Sequence, residues 1–234
     1  MKRAAVAISS RTVWFFDLDN TLHDASRAVF GRLDVAITDY IVRELALDRD
    51  AADALRQHYW RRYGATLLGL ERHHAVRAAH YLEDTHRLEG LEASLRASRR
   101  DRAALARLPG RKFVLTNAPA HYARRVLEKL RMTQHFEAVI AIEGMRMFGA
   151  LRPKPDARML RFVLARLKLP AARCVLVEDT LAHQRTARRV GMRAVWMQAY
   201  LRGPRHGPEV GVHHARRPAY VYARIDSLHA LRRL

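Results

Sequence analysis

The sequence predicts an α/β fold: a parallel sheet flanked by helices, interrupted after its first strand by an all-helical insert. Three observations predict it. Short β-branched and aromatic runs alternate with helical stretches of ~10–15 residues through the second half of the chain. One such run stands alone near the N-terminus, at residues 12–16. Between it and the next lie roughly 80 residues in which apolar side chains recur at three and four and turn signals are few.

In chain order, Thr12, Val13, Trp14, Phe15 and Phe16 form a buried strand that ends at Asp17. From about residue 25 to 108 the spacing of Val35, Ile37, Ile41, Val42 and Leu45 is typical of the helical block. Its breaks are expected near Asp48-Arg49-Asp50, Gly64 and Gly90. Leu108-Pro109-Gly110 is a turn, and residues 112–116 are the second strand. A helix over 119–130 begins at Pro119, because proline suits a first turn. The third strand is 138–142, a helix spans 155–167, and the fourth strand is 174–177. A helix over 181–190 is closed by Gly191, and the fifth strand is 194–197. Residues 201–217, rich in Gly, Pro, His and Arg, read as a surface loop; 220–225 reads as an edge strand. Asp226 is expected to cap a last short helix over 227–234. Two domains follow: residues 1–23 with 109–234 as the α/β core, and 24–108 as a helical cap.

Composition bounds the function. With 234 residues, 49% hydrophobic and 28% charged, the chain is globular and not disordered. Its apolar runs fall well short of the ~20 residues needed to span a bilayer, so no membrane partner is expected. No signal peptide is visible after Met1-Lys2-Arg3, and the single cysteine, Cys174, suits a reducing compartment; the expectation is a cytoplasmic protein. The net charge of +20 invites a nucleic-acid reading. Yet only five of the 43 basic residues are lysines, the excess is arginine, and no block of five or six like charges forms a binding tail. Arginine and alanine enrichment of this kind also follows from GC-rich codons. A basic surface would in addition steer an anionic substrate.

The chemistry gathers at the strand ends, where ligands bind in a parallel sheet. The first strand runs into Asp17-Leu18-Asp19-Asn20-Thr21. The second runs into Thr116-Asn117 and the fourth into Glu178-Asp179-Thr180. Lys154, between Pro153 and Pro155, sits just before a helix. Any one of these alone reads as a turn or a cap. Together they place four carboxylates, a hydroxyl and an ammonium on one rim. Clustered carboxylates demand a counter-charge, and oxygen ligands with one cysteine favour Mg²⁺ over zinc.

Asp17-Leu18-Asp19-Asn20-Thr21, Thr116-Asn117, Lys154-Pro155 and Glu178-Asp179 resemble the four ordered motifs of the haloacid-dehalogenase superfamily, in its phosphatase branch. The resemblance covers residues 12 to about 198 and implies a Rossmann-like core with an inserted cap. It implies that Asp17 is the nucleophile, forming an aspartyl-phosphate, and that Asp19 is the general acid and base. Residues i and i+2 point to the same side of an extended segment, which fits that pair. The resemblance further implies that Mg²⁺ binds the Asp17 carboxylate, the Asp19 backbone carbonyl and Asp179, with Glu178 assisting directly or through water. Thr116, the Asn117 backbone N–H and Lys154 would hold the phosphoryl oxygens. Hydrolytic dehalogenation in the superfamily uses the first Asp without metal or second Asp, so Asp19 with Glu178-Asp179 argues for phosphoryl transfer. A sugar-phosphate mutase would keep the same residues.

Within the helical block, Tyr63-Gly64-Ala65-Thr66-Leu67-Leu68-Gly69-Leu70 is similar to the cap signature of the pyrimidine 5′-nucleotidase family. Tyr81-Leu82, Leu115-Thr116-Asn117-Ala118, His121 with Arg125-Val126-Leu127, and Phe136 fit as well. That similarity implies hydrolysis of nucleoside monophosphates such as UMP and CMP, with Tyr63 and Thr66 as further substrate-binding candidates. An ordinary amphipathic helix with glycines at close crossings would look the same. Two residues depart from the family: His23 stands where an aromatic is usual, and His183 where many members have Asn. The competing readings are a broad-range phosphatase of small metabolites, such as sugar phosphates or phosphoglycolate, and a basic nucleic-acid-associated protein. The acidic rim weighs against the latter, since a binding module has no use for it. His73-His74 and His213-His214 are not expected to bind metal, because adjacent helical residues face different ways. Trp14, Phe15 and Phe16 are expected in the core, with Cys174 an inert buried thiol.

Overall fold

A strand whose every residue is buried belongs in the middle of a parallel sheet, covered on both faces. In the computed structural model, which describes residues 9–201 and 217–234, β1 (Val13–Phe16) is such a strand. A π-helical turn at Ser26–Phe30 leads into α1 (Gly31–Leu45), followed by α2 (Arg49–Tyr63), α3 (Thr66–His74), α4 (Ala78–Thr85) and α5 (Leu91–Ser94). Next come α6 (Arg99–Arg107), β2 (Arg111–Leu115), α7 (Ala120–Leu130) and β3 (Ala138–Ile140). A hairpin of β4 (Arg146–Met147) and β5 (Ala150–Leu151) precedes α8 (Ala157–Arg166), β6 (Cys174–Glu178), α9 (Leu181–Val190), β7 (Arg193–Met197) and β8 (Ala223–Ile225).

The described residues divide into two units. The first holds the chain up to Asp24 and from Leu95 onward; the second is Ala25–Ser94.

The first unit is built on a six-stranded sheet of order β3-β2-β1-β6-β7-β8, every pair parallel. The register sets Phe15 beside Phe113 on one side and Leu176 on the other. The Phe15 and Phe113 rings stack at 5.4 Å between centroids. Met159, Leu160, Val163 and Leu164 of α8 and Ala187 of α9 close over them to make the core. Each buried side chain of this size contributes about 1.5–3 kcal/mol, which is what fixes the strand ends in place.

Local signals set most boundaries, and tertiary contacts move the others. α8 begins later than residue 155, because the Asp156 carboxylate accepts from the Arg158 and Met159 N–H groups and caps it. β3 stops at Ile140 instead of 142: Gly144 N–H bonds back to Ala141 O at 3.0 Å, and Ile142–Met145 is a 3₁₀ turn. β4 and β5 are two residues each, too short to show an alternating pattern. The last element is a 3₁₀ helix at Leu228–Arg233, preceded by Ser227 instead of being capped by Asp226. Asp101 of α6 accepts the Leu228 N–H at 2.9 Å. That bond belongs to a boundary the pattern misplaces: the helical insert ends at Ser94, not at 108, and α6 lies in the first unit. α6 has the same amphipathic period as the insert helices, so spacing alone cannot assign it. The expected loop over 201–217 lies, apart from its end residues, outside the described residues.

The second unit is all helical. Asp48 caps α2 by accepting the Ala51 N–H at 2.8 Å. Gly64, at a positive φ of 79°, ends α2 with its N–H on Trp60 O. α3 ends at Ala75, also left-handed, a break with no Gly or Pro to announce it. Gly69 lets α3 approach α2 closely: a Cβ there would sit 2.2 Å from the Tyr59 ring. Among the described residues no helix is long and apolar enough to cross a membrane.

Candidate active site

The carboxyl end of β1 delivers Asp17 beside the end of β6. The Asp17 N–H donates to Val177 O at 3.0 Å, extending the ladder one residue past the strand. β6 ends with Glu178, fully buried, and Asp179 follows. Thr116 follows β2 in the same way, its N–H on Ile140 O at 3.0 Å. Parallel pairing thus brings Asp17, Thr116, Glu178 and Asp179 to one edge of the sheet.

Lys154 reaches this edge from the segment before α8, following the β4–β5 hairpin. Its ammonium donates to Asp17 Oδ1 at 2.5 Å and to Glu178 Oε2 at 2.8 Å. A buried ammonium needs such partners, and Lys154 is only 3% exposed. Asn117 fixes the lysine backbone: its Oδ1 accepts the Lys154 N–H at 2.9 Å and its Nδ2 donates to Lys154 O at 3.0 Å. The Thr116 hydroxyl accepts the Ala118 N–H at 3.0 Å.

The charges do not balance. Ligand-capable oxygens of Asp17, Glu178 and Asp179 lie within 4.8 Å of one another, with one lysine among them. Burial, then Glu178, raises the Asp17 pKa well above the usual carboxylate range, against the pull of Lys154. Burial with Glu178 and Asp17 raises Asp179 in the same way. Burial alone would raise Glu178 too, but Lys154 and His183 outweigh it and hold it low. His183 Nδ1 lies 3.1 Å from Glu178 Oε2, so the residue that departs from the resembled pattern stands against the acidic pair. Three convergent carboxylates short of positive charge are a hard-oxygen donor set, which fits a divalent cation such as Mg²⁺.

Asp19 is held apart from that trio. Its Oδ1 accepts from the Tyr122 hydroxyl at 2.7 Å, and His23 Nε2 lies 3.0 Å from the same oxygen. Three further supports escaped the sequence reading. Gln184 Nε2 donates to Glu178 O at 2.8 Å, Trp196 Nε1 donates to Asp179 O at 2.9 Å, and Tyr122 acts as above. Gln184 carried a usable signal, a polar residue on the apolar face of α9 with Ala187. Tyr122 did not, because it sits in step with Ala123, Val126 and Leu127 as one more core position of α7.

Tyr63 and Thr66 belong to the second unit. The Tyr63 hydroxyl meets His73 Nε2 at 2.6 Å, and the Thr66 hydroxyl donates to Arg56 O at 3.0 Å. His74 pairs likewise with the Tyr59 hydroxyl at 2.7 Å, so each of the two adjacent histidines faces a tyrosine of α2.

A family profile described as "Hydrolase: haloacid dehalogenase-like hydrolase" matches residues 12–191. Phosphate metabolism protein 8 of Saccharomyces cerevisiae is 36% identical over 61 residues, which is 26% of this chain and 19% of that protein. The match therefore spans under a fifth of the yeast protein's length. Among solved structures the fold is similar to CbbY from Rhodobacter sphaeroides in complex with phosphate, with a TM-score of 0.60 at 19% identity over 94% of this chain and 96% of that one. It is also similar to the HAD-hydrolase YfnB from Bacillus subtilis bound to magnesium, with a TM-score of 0.58 at 15% identity over 94% and 96%. L-2-haloacid dehalogenase from Xanthobacter autotrophicus gives 0.55 at 18% identity over 95% and 97%. At these identities the likeness is one of fold.

Proposed function

This chain belongs to the haloacid dehalogenase-like hydrolases, and from that premise we propose that it is a Mg²⁺-dependent phosphomonoesterase acting through an aspartyl-phosphate on pyrimidine nucleoside monophosphates of the UMP and CMP type. One observation supports the phosphomonoesterase part of the proposal: Asp17, Glu178 and Asp179 converge around Lys154 while Asp19, two residues from Asp17, has its carboxylate separately held. A dehalogenase that uses a single Asp needs neither Asp19 nor the acidic pair.

Asp17 attacks the phosphorus, the ester P–O bond breaks, and Asp19 gives a proton to the leaving oxygen. Asp19 then takes a proton from water, which attacks the phosphorus; the P–O bond to Asp17 breaks and inorganic phosphate leaves. Lys154 uses two of its three N–H groups on Asp17 and Glu178, and the third suits a phosphoryl oxygen. Thr116 and the Asn117 backbone N–H complete that cradle. Asp17, Asp179, Glu178 and the Asp19 carbonyl would hold Mg²⁺, which when bound offsets repulsion between the Asp17 carboxylate and a phosphate dianion. The name of the yeast relative, phosphate metabolism protein 8, agrees with this chemistry. We place the enzyme in the cytoplasm, where Cys174, buried and with its thiol pushed up to about 11 by that burial, stays an unreactive side chain.

A second reading, a phosphatase of broad small-metabolite range, is favoured by Thr66. Its hydroxyl is engaged with Arg56 O inside its own unit, and this subtracts one expected contact to a nucleotide. A panel of phosphate monoesters with Mg²⁺ separates the two. Preference for UMP and CMP is expected. A flat profile, or preference for phosphoglycolate or sugar phosphates, replaces the nucleotidase reading with the second. Absence of phosphate release from every ester, or full activity of Asp17→Asn, would sink the phosphatase reading altogether.

A further inference from the structure

Among the described residues, both hydrogen-bond contacts to the Asp19 carboxylate fall on Oδ1: the Tyr122 hydroxyl at 2.7 Å and His23 Nε2 at 3.0 Å. Neither falls on Oδ2. Tyr122 is 1% exposed and His23 fully buried, while the Asp19 side chain keeps 21% of its surface open. A buried tyrosine hydroxyl needs an acceptor, and any nearby backbone carbonyl would serve. Here the acceptor is a half-open carboxylate 103 positions away in the chain. His23 Nδ1 has no hydrogen-bond partner among the described residues, so the bond the ring does make is the one to Asp19.

We propose that Tyr122 and His23 are positioning residues for Asp19: by holding Oδ1 from the buried side they aim Oδ2 at the ester oxygen for proton transfer. The inference rests on the phosphatase reading of the same site. As Asp17 attacks, the electron pair of the breaking P–O bond takes the proton from Oδ2. The Tyr122 and His23 protons stay where they are, on their contacts to Oδ1. Rotation of a free carboxylate about its Cα–Cβ and Cβ–Cγ bonds would lower the fraction of encounters in which that proton is aligned.

A general acid matters most when the leaving group is poor. The test is therefore a comparison of kcat/KM, which reports the first chemical step, on an alkyl phosphate and on 4-nitrophenyl phosphate. Tyr122→Phe keeps the ring and loses only the hydroxyl. It is expected to lower kcat/KM on the alkyl ester at least tenfold and on the aryl ester less than threefold. His23→Leu should show the same selective loss, and His23→Gln, which keeps a side-chain N–H, should recover part of it; this pair decides the matter even if Tyr122→Phe does not fold. Equal losses on both esters would mean that the two residues act only in packing and would overturn the inference while leaving the phosphatase reading intact. A wild-type protein inactive on both esters would overturn that reading, and the inference with it.

Discussion

The Asn117 side chain grips the Lys154 backbone at both polar groups, accepting its N–H at 2.9 Å and donating to its carbonyl at 3.0 Å. Lys154 is thereby tied to the segment after β2, while its ammonium joins the end of β1 to the end of β6. Three separate strands depend on this one arrangement for the placement of a single charge.

Replacing Asn117 by Ala removes both bonds and leaves a partly buried N–H and carbonyl to find water. The expected destabilisation is about 1–3 kcal/mol, read from denaturant midpoints. kcat should fall more than tenfold, since the ammonium loses its fixed origin. Asn117→Asp keeps the acceptor, loses the donor and adds a charge, and is expected to be no better than the alanine.

Lys154→Met leaves Asp17, Glu178 and Asp179 with no lysine among them. Breaking a buried pair this way is expected to destabilise the protein by about 3–5 kcal/mol in chelator. Mg²⁺ should raise the melting temperature of the variant more than that of the wild type, because the ion then supplies the missing charge. An equal rise in both would show that the ion and Lys154 do not share these carboxylates.

The pKa directions give a pH dependence whose sign can be worked out. Asp17 and Asp179 are raised in the folded protein, so between the ordinary carboxylate value of about 3.9 and their folded values the native state binds more protons than the unfolded one. Stability in chelator should therefore fall as pH rises through that window. Glu178 is lowered and acts the other way, with stability lost as pH falls from about 4.3 toward its folded value. That range lies below pH 4.5, where the measurement begins. Melting temperatures of wild type and Asp17→Asn across pH 4.5–8 check this, and the variant should show the shallower decline.

Gly69→Ala tests the second unit by itself. The added Cβ would lie 2.2 Å from Tyr59 Cγ, too close for any rotation of the methyl to relieve. The gain in helix propensity, about 1 kcal/mol, is outweighed by overpacking of about 1–3 kcal/mol, so thermal unfolding should move to lower temperature. Unchanged unfolding would mean that α2 and α3 separate freely.

The sheet was legible because its strands are short, apolar and bounded by turns, and because the rim residues follow them directly. Asp17, Thr116 and Glu178 sit where chain direction alone puts them. The residues that hold the rim steady were not legible. Tyr122 is hidden in the apolar stripe of α7, and the bond that matters is made by its hydroxyl, which periodicity ignores. His23 reads in the sequence as a mere departure from a pattern, and only the fold sets its ring against Asp19. The end of the helical insert was misplaced because α6 carries the same repeat as the helices before it; its packing in the first unit, the Asp101 bond to Leu228 included, assigns it. Ala75 ends a helix in a conformation that alanine seldom takes, and composition gives no warning of it.

The indole N–H of Trp196, bonded at 2.9 Å to the Asp179 carbonyl, gives this protein a built-in optical reporter. Trp14, within β1 and with its own indole N–H bonded to Pro109 O at 2.9 Å, and Trp60 of α2 supply the background emission. A change in charge or occupancy at Asp179 alters the dipole against which the Trp196 ring rests, and emission wavelength follows such local fields. Titrating Mg²⁺ or a phosphate analogue while watching fluorescence, with Trp196→Phe as the blank, would follow events at the acidic edge directly, without turnover and without a label.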